Sequence, residues 1–245
     1  MKRAAAWILA LLTLLTFASC GAESSAEEPP APSSGTGAAS GPQTAEETAG
    51  EEGKTSPEDT AESGPAPETE EGSRTLVVYF SRTGEQYRVG VIEEGNTAIV
   101  AGIIAEKTGA DLYEILPETD SYPYTYDELT DVAKREQGEN ARPGIRDPLP
   151  DLAGYDTVFI GAPVWWGDWP MILYTFFESA DLSGKDLVPF STHEGSDLSG
   201  FDRKLAAAAP EGRVLEGLAV SGTDCQNDRK GVEEKVSAWL DAIGY

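Results

Sequence analysis

Three short stretches of this chain carry side chains suited to holding a ligand. The first is Ser81-Arg82-Thr83, followed after residues 84–94 by Gly95-Asn96-Thr97. Hydroxyls and open backbone N–H groups at the start of a helix are what a phosphate needs, and the helix macrodipole adds to the attraction. No lysine of the P-loop pattern stands beside them, which argues against a nucleoside triphosphate. The second is Gly161-Ala162-Pro163-Val164-Trp165-Trp166-Gly167. Aromatic rings left open at a strand end stack on flat, electron-poor rings. Adjacent side chains there point opposite ways, so one indole is expected to face such a ring and the other to pack away. The third is Ser191-Thr192-His193-Glu194-Gly195-Ser196, with a hydroxyl and open N–H groups for a polar ring edge. His193 is the domain's one group titrating near neutral pH.

The same inventory argues against other chemistry. With one histidine, every Ser-His-Asp arrangement would have to run through His193, and a metal cluster is not expected. The two cysteines, Cys20 and Cys225, lie in different parts of the chain, so no disulfide within the domain is expected. A net charge of −25 without clustered Lys or Arg argues against nucleic acid.

Composition divides the 245 residues into three parts. Residues 1–19 read as an export signal: Lys2 and Arg3, then an apolar run from Ala4 to Phe17 too short to span a bilayer comfortably. Phe17-Ala18-Ser19-Cys20 resembles the lipobox of bacterial lipoproteins, in which the cysteine sulfur is acylated and becomes the first residue; the alternative is ordinary secretion. Residues 20–73 read as a lipidated cysteine followed by a tether. From Ala22 to Ser73 there are thirteen acidic residues, one basic residue and no large apolar side chain, a composition that cannot bury a core. Residues 74–245 hold the core-forming material and suit a single domain.

Within that domain, apolar β-rich runs at 75–81, 111–116, 156–164, 187–192 and 213–220 predict five strands. Helices are predicted from Asn96 to a C-cap at Gly109, near 126–137, from an Asp168–Pro170 start through Phe177, and at the C-terminus on the stripe Val232, Val236, Trp239, Leu240, Ile243. Alternation of this kind predicts a parallel sheet with helices on both faces. Ligands bind such sheets beyond the carboxyl ends of the strands, which singles out the loops after Phe80, Ala162 and Phe190.

Those loops carry a family resemblance. The first resembles the flavodoxin phosphate loop, Ser/Thr-x-Thr-Gly-x-Thr, split by an insertion from Gly84 to Glu94; either Gly84 or Gly95 takes its tight turn. The second is similar to a Pro-x-Trp-Trp-Gly segment at the flavin of flavodoxin-like proteins, and the third to their Thr-His-x-Gly-Ser stretch. The resemblance covers residues 75–243. It implies a three-layer α/β/α fold with a five-stranded parallel sheet in the order 2-1-3-4-5, and FMN as cofactor. Ser81, Arg82, Thr83, Gly95, Asn96 and Thr97 would serve the phosphate. Pro163, Val164, Trp165, Trp166 and Gly167 would meet the ring, with Gly167 as a movable peptide. Thr192, His193, Gly195 and Ser196 would line its pyrimidine edge. The expected function is electron transfer to a redox partner protein or small acceptor, outside the cytoplasm, on a chain anchored to the membrane at Cys20. Two alternatives stay open: an FMN-dependent NAD(P)H:quinone or nitro-compound reductase, and a flavin-binding module without redox work.

Overall fold

The computed structural model describes residues 74–119 and 121–245. The signal, Cys20 and the tether lie outside these described residues.

The first apolar run forms β1 (Thr75–Tyr79), whose Leu76, Val77 and Val78 are buried on both faces. The insertion folds as a hairpin, β2 (Gly84–Gln86) and β3 (Gly90–Ile92), and α1 (Asn96–Thr108) follows. Gly109 ends α1 in the left-handed conformation expected of it, with φ +70°. Next come β4 (Asp111–Glu114), α2 (Tyr126–Glu139), β5 (Thr157–Pro163), α3 (Met171–Ser179) and β6 (Asp186–His193). The chain closes with α4 (Phe201–Ala208), β7 (Arg213–Val214), β8 (Leu218–Ser221), α5 (Gly222–Asn227) and α6 (Arg229–Ile243).

The sheet runs β4-β1-β5-β6, with β7 and β8 sharing the last place beside β6, and every pairing is parallel. Setting the hairpin aside, this is the expected order 2-1-3-4-5. Side chains alternate across the sheet and divide the core in two. Val77, Phe159 and Val188 pack under α1 and α6, whereas Leu76, Val78, Ile160 and Leu187 pack under α2, α3 and α4.

Several elements differ from the sequence expectation, beginning with the first strand, which ends at Tyr79 rather than at residue 81. The strand expected over 111–116 ends at Glu114; Ile115 still donates its N–H to Tyr79 O at 2.7 Å, but Leu116 turns its carbonyl to Arg146 N. Helix α3 begins at Met171 with Pro170 in the capping position, and Asp168 does not cap it. The Asp168 carboxylate instead accepts from Trp169 N at 2.8 Å and Tyr174 OH at 3.0 Å, and pairs with Lys204 at 3.0 Å. Helices α4 and α5 and the β2–β3 hairpin had no counterpart in the reading of the sequence.

The fifth strand, expected unbroken over 213–220, is split. Its pairing offset against β6 changes by one residue, from Leu187↔Val214 to Phe190↔Leu218, which is a bulge. The carbonyls of Lys185 and Leu187 accept N–H groups from Arg213 and Leu215, so by alternation Pro189 also faces this neighbour. Proline has no N–H to give, and the ladder breaks opposite it.

Candidate functional site

The loops after β1, β5 and β6 meet above the carboxyl edge of the sheet, around a cleft of about 220 Å³. The first helical connection, from β1, leads to an outer neighbour on one side, β4, and the later strands continue on the other, so the strand order reverses here. The cleft has two chemically distinct ends. Asn96, Thr97, Thr192, His193 and Glu194 line one; Gln86, Tyr87, Tyr126, Leu129, Thr130, Ala133 and Trp166 line the other; Pro163, Val164 and Trp165 lie between.

The polar end is built on the start of α1. Of the N–H groups in its first turn, Ala98 donates to Ser81 Oγ at 3.0 Å and Ile99 to Gly95 O at 3.1 Å, which leaves those of Asn96 and Thr97 for an anion. Thr97 and Thr192 join through their hydroxyls at 2.8 Å, both buried, and lock the first loop to the third. Gln226 Nε2 donates to Asn96 Oδ1 at 2.8 Å and to Glu94 O at 2.9 Å. That bond fixes the Asn96 amide with Nδ2, its donor side, away from Gln226. The nearest carboxylates are engaged. Glu194 accepts from Thr223 N at 2.6 Å and Thr223 Oγ1 at 3.0 Å, and Glu94 pairs with Arg229 at 3.3 Å. Two helix N–H groups and an oriented amide therefore fit a phosphate monoester.

Both glycines of the split loop are needed, for different reasons. Gly84 takes the tight turn, with φ +88°. Gly95 has an ordinary φ of −69°, but a Cβ there would stand 2.2 Å from Ser81 Oγ and 2.7 Å from Arg82 O. The other predicted phosphate residues are distributed differently. Ser81 is used as a cap, and Ser81, Thr83 and Gly95 border a second cavity on the far flank of the loop rather than the cleft. Arg82 lines both and turns its guanidinium to the carbonyls of Tyr122 and Pro123.

At the centre, the two indoles have different surroundings. Trp165 packs edge-on against Phe80 and Tyr122, at centroid distances of 5.4 and 5.2 Å. Trp166 adopts the left-handed conformation at φ +51°, is 52% exposed, and donates Nε1 to Thr130 O at 2.9 Å, which holds it against α2. Both line the cleft. Gly167, at φ +72°, lies outside the lining, and its carbonyl accepts from Lys204 Nζ.

Gly195 and Ser196 also lie outside the lining. Gly195 N–H donates to His193 Nδ1 at 3.0 Å, which places the imidazole proton on Nε2. Burial pushes the His193 pKa down; Lys235 acts in the same sense, while Asp197, Glu194 and Asp224 oppose it. The histidine is thus a neutral wall of the polar end.

Residues the sequence reading missed sit mainly on α2, α5 and the hairpin. Tyr126, Leu129, Thr130 and Ala133 reach the cleft because three- and four-residue spacing puts them on one stripe of α2. That periodicity was the available signal. Gln226, Thr223 and Gly222 had none, since only the fold brings α5 against the start of α1.

This is a doubly wound α/β protein with a ligand cleft at its topological switch point. The family model described as flavodoxin matches residues 74–242, and the chain belongs to the flavodoxin family. No curated protein matches. Among solved structures, a candidate flavoprotein from Bacteroides eggerthii is 32% identical, over 71% of this chain and 99% of its own, with a TM-score of 0.55. One from Bacteroides uniformis is 31% identical, over 69% and 99%, also with a TM-score of 0.55. A flavoprotein from Lactobacillus acidophilus, solved in complex with FMN, is 21% identical over 65% and 99%, with a TM-score of 0.50.

Proposed function

We propose that this domain binds FMN in the cleft and passes electrons through it to a redox partner protein or small acceptor, at the outer face of the cytoplasmic membrane, on a chain held there by acylated Cys20. The observation that carries the reading is the cleft's polarity. Phosphate donors stand at one end and chiefly aromatic and aliphatic side chains, with Gln86 and Thr130 among them, at the other, and a flavin mononucleotide is built the same way. The N–H groups of Asn96 and Thr97 and the Asn96 amide hold the phosphate. Thr192 and its loop meet the pyrimidine edge, and Trp165 excludes water from the ring. The flavin, when bound, supplies the redox chemistry. Neutral His193 leaves the domain's negative charge, about −15 by formal count over residues 74–245, uncompensated at this site.

The test is a pair of titrations with FMN and riboflavin. Asn96→Ala, which removes the side-chain amide and keeps both N–H groups, weakens FMN by at least about tenfold, the equivalent of one charge-assisted hydrogen bond, and riboflavin by less than about twofold. Equal losses for both ligands refute the phosphate site. Bleaching of the bound flavin by NADPH alone supports the NAD(P)H-dependent reductase instead.

A further inference from the structure

Helix α5 is six residues long and starts directly after β8. Four hydrogen bonds tie it to the first and third loops: Thr223 N and Thr223 Oγ1 donate to the Glu194 carboxylate, and Gln226 Nε2 donates to Asn96 Oδ1 and Glu94 O. Gly222, its first residue, lines the cleft. A Cβ there would stand 2.4 Å from Asn96 Nδ2 and 3.1 Å from Glu194 Oε1. Both ends of the Asn96 amide are therefore placed by α5. Gln226 gives Oδ1 a donor to face, and the missing Cβ of Gly222 leaves the space that Nδ2 occupies.

An amide carries N–H donors on one side and a carbonyl oxygen on the other, in nearly the same shape. Toward an anion the two sides are opposites, since the donors attract it and the oxygen repels it. Resting on the reading that FMN occupies this cleft, we propose that α5 sets the preference for a phosphate monoester over an uncharged ligand end. Gln226 and Gly222 are its positioning residues, and they act through the Asn96 amide. Gln226 Nε2 has hydrogens and no lone pair to offer, so it selects the orientation with Oδ1 toward itself and the donor side open to the ligand. The same nitrogen holds Glu94 O, just ahead of α1, so the amide and the turn that carries it are fixed together. A donor set in place before the ligand arrives spares binding the cost of ordering it.

Titrations of the full-length protein with FMN and with riboflavin test this. Gln226→Glu keeps the size of the side chain but sets an acceptor against Asn96, so the amide turns its oxygen toward the ligand. FMN affinity falls by at least about tenfold and riboflavin affinity by less than about twofold. The new charge also repels a phosphate through space, so the substitution is repeated in Asn96→Ala, where no amide remains to turn. There it costs FMN less than about threefold, and the difference between the two backgrounds is the part carried by Asn96. Gly222→Ala brings no charge and pushes on the movable end of a side chain rather than on backbone. It lowers the preference for FMN over riboflavin by at least about threefold without lowering the urea midpoint. Equal FMN losses from Gln226→Glu in the two backgrounds assign its effect to repulsion and overturn the proposal. Equal losses of FMN and riboflavin, or a wild-type preference in both single variants, overturn it as well. Failure of the wild type to bind FMN refutes the proposed function itself and is read before any variant is compared.

Discussion

Replacing Gly95 with alanine tests how closely the phosphate loop must approach α1. The backbone conformation, φ −69°, suits alanine, and the loss of glycine's freedom in the unfolded chain by itself favours the variant by about 0.4–1 kcal/mol. Sterics oppose it. The new Cβ would meet Ser81 Oγ at 2.2 Å and Arg82 O at 2.7 Å. The hydroxyl can rotate away, but it then leaves Ala98 N–H without its acceptor, a loss of capping that costs about 0.5–2 kcal/mol. The carbonyl belongs to the backbone and must retreat by a few tenths of an ångström, resisted by the Arg82 guanidinium fixed on Tyr122 O and Pro123 O. Overpacking of this kind costs about 1–3 kcal/mol. The expected net loss is about 2.5 kcal/mol, within a span of roughly 0.5–4.6, read as a lower urea midpoint at unchanged m-value. Because the displaced segment also carries the N–H groups of Asn96 and Thr97, the preference for FMN over riboflavin falls by about tenfold, or 1.4 kcal/mol. A variant with wild-type stability and an unchanged preference would show that the loop relaxes freely, and the reasoning fails.

Three further outcomes are expected. Burial holds the His193 pKa below its ordinary 6.5, so its contribution to stability is complete above that value and is lost as the pH falls toward and through the lower folded value. The urea midpoint of the wild type therefore drops more steeply below pH 6.5 than that of His193→Gln, and parallel profiles would contradict this. Gly161→Ala drives a Cβ to 2.0 Å from Phe190 Cζ across the β5–β6 pair; the loss reaches or exceeds the top of the usual range of about 1–3 kcal/mol, and Phe190→Leu in the same chain recovers part of it. A Gly161→Ala midpoint equal to wild type would show that the strands can part. Cys20→Ser releases the protein from the membrane fraction; retention after a high-salt wash would place the anchor elsewhere.

The central elements were legible because their signals are local. β1 and β5 are short apolar runs buried on both faces, α1 stops at a left-handed Gly109, and α6 carries its stripe in plain spacing. What escaped has tertiary causes. The break between β7 and β8 falls opposite Pro189 on another strand; the one local sign within 213–220 is the isolated Gly217, where a Cβ would stand 2.7 Å from Pro189 O. Asp168 resembles a helix cap, but Tyr174 and Lys204 claim its carboxylate. The site followed the same division. The three loops at strand ends were found, because topology dictates where they lie. Ser81, expected at the phosphate, also accepts Ala98 N–H at its hydroxyl oxygen, a contact that only the fold reveals. Gln226 orients Asn96 from 130 residues away, a relation that only the folded chain creates.

The bulge opposite Pro189 also governs how copies of this domain can live side by side. On that margin the sheet ends in a two-residue and a four-residue segment out of step with each other. On the opposite margin β4 is four residues long and starts at Asp111, paired with Arg74 at 3.1 Å. Long, flat rows of open N–H and C=O groups are what let one sheet capture a strand from its neighbour. Neither margin offers such a row. If the proposed anchor crowds many copies onto a membrane, each can brush against the next without their sheets fusing, and contact with partners is left to the loop-bearing end where the cleft opens.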